Sequence, residues 1–177
     1  AAWRELIEKV LGDRAREHTR YAIKKEGDCF DPGRLRILAE TLPAGITLSR
    51  IHGELYGKCL KEEWSRDLVS CFPSCEAYEA MGLGVAALRG NELLAGASSY
   101  ARSRDAIEIE IDTREDMRNR GLASACGAAL ILECLERGLY PSWDAHTEIS
   151  AALAEKLGYH VSHPYVVYEV EADKGPV

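Results

Sequence analysis

Two short stretches decide the fold: the alternating run Ile107-Glu108-Ile109-Glu110-Ile111 and, shortly after it, Arg118-Asn119-Arg120-Gly121-Leu122-Ala123. Alternation of apolar and acidic residues predicts a strand. The second stretch is basic, contains glycine and leads into an apolar segment that predicts a helix from about Gly121 to Glu136. N–H groups at a helix start lack intrahelical partners and attract anions, and small residues let an anion approach closely. The pattern therefore predicts a phosphate-binding strand–turn–helix unit; the alternative is a solvated basic turn that only caps the helix.

The segments around this unit predict a mixed sheet. Residues 84–113 contain three strand-like runs separated by Gly90-Asn91 and Arg104-Asp105, which predicts an antiparallel meander. After the unit, the pattern predicts a strand, a helix and two final strands, at Tyr140–Ala145, Glu148–Leu157, Tyr159–Val161 and Tyr165–Glu169. This order predicts an α/β (α+β) fold with a mixed, mostly antiparallel sheet and helices on both faces.

The sequence pattern of the first part of the chain predicts mainly helices. Apolar spacing and turn signals predict one strand at Ile46–Ile51 and helices at Trp3–Leu11, Arg34–Thr41, Glu54–Leu60, Glu63–Phe72 and Ser74–Met81. Residues 13–25 are basic and mixed, and their pattern assigns no element. We therefore expect a helical N-terminal extension at 1–45, a core at 46–171 and a tail at 172–177.

Bulk properties exclude several classes of protein. The formal net charge of −7 argues against non-specific binding of nucleic acid and against adsorption to anionic membranes. No apolar run reaches the ~18–20 residues of a membrane span, and the N-terminus lacks the apolar region of a signal peptide. The six cysteines are not spaced as zinc ligands, so we expect no metal. We expect a cytoplasmic protein with reduced cysteines that is a monomer or a homodimer.

The order of elements, with Arg118-x-x-Gly121-x-Ala123 at its centre, resembles the GNAT (Gcn5-related) N-acetyltransferase superfamily. In that family the motif Arg/Gln-x-x-Gly-x-Gly/Ala binds the pyrophosphate of acetyl-CoA, and Ala151–Tyr159 is similar to the family's closing element. A closer similarity is to the subgroup that includes the zwittermicin-resistance acetyltransferase, through Trp143-Asp144-Ala145-His146-Thr147-Glu148-Ile149-Ser150 and Ile109–Thr113. The superfamily resemblance covers residues 46–171, the expected GNAT core.

This resemblance implies an N-acetyltransferase that moves an acetyl group from acetyl-CoA directly to a primary amine of a small molecule. The alternative is a non-catalytic acyl-CoA-binding or sensor domain, because the chain departs from the common family pattern at two positions. Ala154 stands where many relatives have a general-acid tyrosine, and Thr147 stands where the subgroup usually has an asparagine that bonds the pantetheine arm.

The resemblance also implies where the co-substrate binds. The strand before the glycine turn is expected to splay from its parallel neighbour, so that the backbone of Ile111 and Thr113 pairs with pantetheine. The implied cofactor-binding set is completed by Arg118, Asn119, Arg120, Gly121, Leu122, Ala123, Thr147 and Ser150.

Candidate catalytic and substrate-binding residues follow from the same unit. Glu108 and Glu110 share one strand face, so either carboxylate could take the amine proton, and a β-bulge would change which of them points inward. The alternative is a solvated strand face. With alanine at 154, a proton donor would have to come from elsewhere, and the nearby candidates are Tyr159, Tyr165 and Tyr168. Of these, Tyr159 and Tyr165 are the catalytic candidates. Trp143 and Tyr100 are the candidate substrate-binding residues, and Ser98 and Ser99 could also face an acceptor.

Overall fold

Two sheets separate at residues 142–144 in the computed structural model, which describes residues 2–170 of the chain. The larger sheet has five strands in the order β2 (Thr47–Arg50), β3 (Gly84–Arg89), β4 (Glu92–Arg102), β5 (Ala106–Thr113) and β6 (Tyr140–Ser142). Its neighbours are antiparallel except β5 and β6, which run parallel. The smaller sheet has the order β7 (Asp144–Ala145), β1 (Ala15–Ile23) and β8 (Val161–Val170). The predicted mixed, mostly antiparallel architecture and the meander at 84–113 are confirmed.

Six α-helices are described, and three of them, α2, α4 and α6, begin with a side-chain cap. Their bounds are α1 (Ala2–Leu11), α2 (Pro32–Glu40), α3 (Glu54–Lys61), α4 (Cys75–Met81), α5 (Leu122–Glu136) and α6 (Glu148–Lys156). Short 3₁₀ helices occupy Gly12–Arg14, Glu63–Leu68 and Glu115–Met117. The hydroxyl of Ser74, the first residue of the helix predicted at 74–81, accepts from the N–H of Ala77 and caps α4. None of the described helices is both long and apolar enough to cross a membrane.

Helices pack on both faces of the larger sheet, as predicted. On one face, α5 lies against β3, β4 and β5, where Ile107 and Ile109 are buried. A Cβ atom at Gly127 of α5 would lie 2.8 Å from the Cδ1 atom of Leu157 and 3.1 Å from that of Ile111, so this glycine lets the helix approach the strand closely. The opposite face is covered by a second core cluster that includes Tyr56, Leu68 and Tyr78.

The N-terminal 45 residues contain a strand that the sequence pattern did not assign. β1 lies between β7 and β8 and pairs with β8 from Ala15 opposite Val170 to Ile23 opposite Val161. All of its residues are exposed or half-buried, and its sequence lacks the apolar alternation that identifies a strand. β1 therefore joins the N-terminal region to the last strand of the chain. The expected tail at 172–177 lies outside the described residues.

Three other element predictions were wrong in detail. The predicted strand at 140–145 is two strands in different sheets, because pairing changes partner at Trp143. The two predicted final strands form one, β8, which runs through Pro164. The segment predicted as a helix at 63–72 is a 3₁₀ helix that ends at Leu68. Long-range pairing decides the first two cases, and local periodicity does not report it.

Candidate active site

The parallel strands β5 and β6 separate after three residue pairs. Ala106 lies opposite Tyr140, and pairing ends where Glu108 lies opposite Ser142. β7 then pairs with β1 instead. Beyond Glu108, this edge of β5 therefore has no neighbour among the described strands, and the expected splay is confirmed. A cleft of about 1460 Å³ opens at this point, with residues 108–113 of β5 along its wall.

The start of α5 forms one end of the cleft. Gly121 precedes the helix in the left-handed conformation, with φ +81°, and no side chain caps the first turn. A Cβ atom at Gly121 would meet no protein atom within 4 Å. Residues 121–124 line the cleft, and N–H groups of a first helical turn have no intrahelical partner. This open set of amides fits the phosphate groups of a nucleotide-like ligand.

A turn with basic side chains and one left-handed residue precedes this helix. Asn119 has φ 59°, and it is the non-glycine residue with positive φ among those described. Arg118 and Asn119 line the cleft, whereas Arg120 does not. The turn thus brings one arginine, one amide side chain and the amides of the helix start to the same end of the cleft.

The cleft face of β5 carries carboxylates. Ile107 and Ile109 enter the core, so Glu108, Glu110 and Asp112 project from the opposite face and line the cleft. The bulge lies in β4 and not in β5: Ser99 pairs with Ile109 and Ala101 with Glu108, which leaves Tyr100 as the extra residue. Both predicted glutamates therefore keep the orientation that strand alternation indicates.

Glu110 has the electrostatic environment of a base near neutral pH. Burial and the carboxylates of Asp112 and Asp67 raise its pKa to about 7. Burial and Asp67 likewise raise the pKa of Asp112 to about 6, and Arg118 opposes this shift. A carboxylate with a pKa near the working pH can accept a proton and release it again.

Trp143, Thr147 and Ser150 form a linked group beside the splay. The indole Nε1–H of Trp143 donates to Ser150 Oγ at 3.2 Å. The N–H of Ser150 donates to Thr147 Oγ1 at 3.1 Å, so Thr147 caps α6. All three residues line the cleft. Because both hydroxyl oxygens act as acceptors here, their own protons can donate to a ligand in the cleft.

Of the three tyrosines considered as proton donors, only Tyr165 lines the cleft, and Tyr159 and Tyr168 do not. Tyr165 lines the cleft, and its hydroxyl donates to Asp144 Oδ2 at 2.7 Å. Tyr159 is 1% exposed, does not line the cleft, and donates to the carbonyl of Pro141 at 2.7 Å. Thus the predicted catalytic and cofactor-binding residues, together with Trp143 and Tyr100, line one cleft, except Tyr159 and Arg120.

Ser98 and Ser99 are structural, contrary to the expectation that they face an acceptor. Both are fully buried. Ser98 Oγ lies 2.7 Å from the hydroxyl of Tyr78, and Ser99 Oγ accepts from the N–H of Leu83 at 2.9 Å. These bonds join β4 to the end of α4. Tyr100, the bulged residue beside them, does line the cleft, as predicted.

Arg20, Asp67 and Asp112 also line the cleft, and sequence reasoning missed them. Alternation on β5 could have identified Asp112, which follows Glu108 and Glu110 on the same face. Arg20 and Asp67 come from segments far from the motif in sequence, and no local signal marks them. Among the residues described, no group of three or more His, Cys, Asp or Glu side chains is placed to hold a metal.

Comparison with known proteins agrees with this geometry. The family model described as GNAT acetyltransferase matches residues 1–168. The uncharacterized N-acetyltransferase YdfB of Bacillus subtilis (strain 168) is 28% identical over 174 residues, which are 94% of this chain and 62% of the relative. The chain thus spans less than two thirds of that protein.

Solved structures extend the comparison. A GCN5-related N-acetyltransferase-like protein from Streptococcus suis 89/1591 superposes with a TM-score of 0.92 at 52% identity, over 96% of this chain and 68% of that one. A GCN5-related N-acetyltransferase from Kribbella flavida has a TM-score of 0.57 at 17% identity, over 87% of this chain and 58% of that one, and it shows the fold alone.

Proposed function

This chain belongs to the GNAT acetyltransferase family, and we propose that it transfers an acetyl group from acetyl-CoA to a primary amine of a small molecule. One observation carries the proposal. The free edge of β5, the open start of α5 and the raised-pKa carboxylate of Glu110 all meet in a single cleft. Co-substrate binding and proton removal can therefore occur side by side.

We assign co-substrate binding to the residues along β5 and the turn after it. The backbone of Ile111 and Thr113 offers free hydrogen-bonding groups on the splayed edge, and these match the amides of a pantetheine arm. The open amides at 121–123, with Arg118 and Asn119, suit a diphosphate. Thr147 and Ser150 line the facing wall. When bound, acetyl-CoA would supply the acetyl group as a thioester, with the CoA thiolate as the leaving group.

Glu110 is the preferred base. A primary amine is mostly protonated at neutral pH, and only the neutral nitrogen attacks a carbonyl. Glu110 removes that proton, directly or through a water molecule, because its raised pKa keeps the carboxylate available as a proton acceptor near pH 7. Glu108 lies on the same face and is the second candidate.

The acceptor is a cation on arrival, and the cleft suits one. Asp67, Glu110 and Asp112 line it together with the ring of Tyr100 and the indole of Trp143. Carboxylates attract an ammonium group, and aromatic rings provide apolar walls and favourable contact with cations. The similarity to the subgroup that includes the zwittermicin-resistance acetyltransferase supports a small aminated metabolite.

Two measurements test the proposal. Calorimetric titration with acetyl-CoA is expected to give saturable binding. Thiol release is then followed with a panel of primary amines that includes alkylamines, 1,4-diaminobutane, glucosamine and an aminoglycoside. Turnover with at least one amine supports transfer, whereas binding without turnover on any of them supports the acyl-CoA-binding or sensor domain. Absence of binding at millimolar acetyl-CoA would refute both.

A further inference from the structure

We propose that Arg20 is a positioning residue of this active site: it fixes Asp144, which holds the hydroxyl proton of Tyr165, so that the phenolic oxygen accepts a hydrogen bond from the acceptor amine. All three side chains line the cleft. The inference rests on the proposed function, and it assigns Tyr165 a role different from the proton donor that the sequence suggested.

The three residues belong to three adjacent strands. β1 is the central strand, and in its register Arg20 lies opposite Tyr165 of β8 while Ala22 lies opposite Asp144 of β7. Arg20 Nε lies 2.7 Å from Asp144 Oδ2, and Arg20 Nη2 donates to the backbone carbonyl of Asp144 at 3.3 Å. One guanidinium therefore forms an ion pair with the side chain of Asp144 and a hydrogen bond with its backbone.

The hydrogen bond of Tyr165 determines what its oxygen can do. A phenol has one proton, and an ionised carboxylate can only accept, so the 2.7 Å contact with Asp144 Oδ2 commits that proton. The remaining lone pairs of the phenolic oxygen can accept an N–H from a ligand. Loss of the phenolic proton would place a negative phenolate beside the negative carboxylate of Asp144. Burial and this carboxylate therefore raise the pKa of Tyr165, so the phenol keeps its proton. Orientation of the amine is thus favoured over protonation of a leaving thiolate.

The chain contains a matched control outside the cleft. Tyr168, also on β8, donates to Glu17 Oε2 of β1 at 2.8 Å, and Arg4 Nη2 lies 2.9 Å from the same oxygen. Arginine, carboxylate and tyrosine thus occur together again, here with the arginine on α1, the carboxylate on β1 and the tyrosine on β8. None of these three residues lines the cleft. Any loss that reflects only weakened pairing of β1 and β8 should appear in both groups.

The experiment compares Y165F, R20Q and R20K with the control variants Y168F and R4Q. For each, calorimetry gives the acetyl-CoA Kd, thermal melting gives the Tm, and steady-state kinetics with the fastest amine of the panel gives KM and kcat. We expect Y165F and R20Q to raise the amine KM about 10-fold, the loss of one hydrogen bond to a charged group, with the acetyl-CoA Kd nearly unchanged. The kcat should be nearly unchanged in Y165F. Arg20 also lowers the pKa of Glu110, so the kcat of R20Q is compared with the wild type at a pH well above 7, where Glu110 is ionised in both. R20K should recover part of the loss, and the controls should keep the wild-type KM.

Two results would overturn the inference while leaving the proposed function intact. A fall in kcat for Y165F at unchanged amine KM would make Tyr165 a proton donor. Equal KM values in the cleft and control variants would make the three residues purely structural. Absence of turnover by the wild-type protein on every amine is a different outcome, because it refutes the proposed function and the inference with it.

Discussion

Glu108 and Ser142 are the last residues that face each other across the parallel strands β5 and β6. Two residues after Ser142, the chain pairs with β1 instead, at Asp144 opposite Ala22. The segment that follows Ser142 therefore pairs with β1 and no longer with β5. The cleft opens where β5 has lost its parallel neighbour and β1 lies between β7 and β8.

Substitution of the proposed base should affect the chemical step more than binding. We expect Glu110→Gln to lower kcat by a factor of about 10²–10⁴, the usual contribution of general base catalysis, and to leave the acetyl-CoA Kd unchanged. The glutamine side chain does not titrate. The fall of kcat/KM below about pH 7, which protonation of Glu110 causes in the wild type, should therefore disappear. Glu108→Gln on the same face is the matched variant. A large loss in Glu108→Gln alone would transfer the role to Glu108.

The raised pKa of Glu110 also predicts a pH-dependent stability. The folded state holds this proton up to about pH 7, whereas the unfolded chain releases it near the ordinary value of 4.5. Because the folded state binds more protons in this window, stability falls as the pH rises from about 4.5 to about 7. Asp112 adds to the loss in the same direction, between 3.8 and about 6.

Glu110→Gln should remove the Glu110 part of that loss. Its free energy of unfolding should match that of the wild type near pH 4 and exceed it by about 1–2 kcal/mol at pH 8, a value reduced for solvent screening of a partly exposed group. Urea unfolding at both pH values measures the difference. A variant less stable than the wild type at pH 8 would contradict the environment described for this carboxylate.

Substitutions of the two glycines that flank α5 distinguish a loss of phosphate binding from a loss of stability caused by backbone strain. Gly121 and Gly138 have φ values of +81° and +66°, and a Cβ at either would meet nothing within 4 Å. Alanine at each position should cost about 1 kcal/mol of stability, because L residues rarely adopt this conformation. Only Gly121→Ala should also weaken acetyl-CoA binding, by bringing a methyl group to the phosphate site. Calorimetry on both variants tests this, and equal affinities would place the phosphates elsewhere.

A second glycine pair tests the close packing of α5 against Leu157, at the end of α6, and against Ile111 of β5. Gly127→Ala would place a methyl carbon 2.8 Å from Leu157 Cδ1, so we expect a loss of about 1–3 kcal/mol from overpacking. Gly57 of α3 has open space around its Cβ position, and Gly57→Ala should stabilise the protein by about 0.5–1 kcal/mol. Thermal melting of the two variants should therefore give shifts of opposite sign.

Local sequence determined the elements that carry their own signal. The alternation at 107–111 and the glycine before the apolar run predicted β5, the turn and α5, and all three are present. Alternation also placed Glu108 and Glu110 on one face, since it depends only on strand geometry. These elements, the motif and the family resemblance together selected the predicted site residues, and nearly all of them line one cleft.

Tertiary structure alone decided which distant groups complete that cleft and how they act. Arg20 reaches it because β1 pairs between β7 and β8, and Asp67 reaches it from a 3₁₀ helix on the sheet face. No feature of the sequence distinguished Tyr159 from Tyr165. In the structure, Tyr159 is buried and donates to Pro141, whereas Tyr165 donates to Asp144. Hydrogen-bond partners and pKa shifts depend on groups brought together from far apart in the chain, and no local pattern of residues encodes those distances.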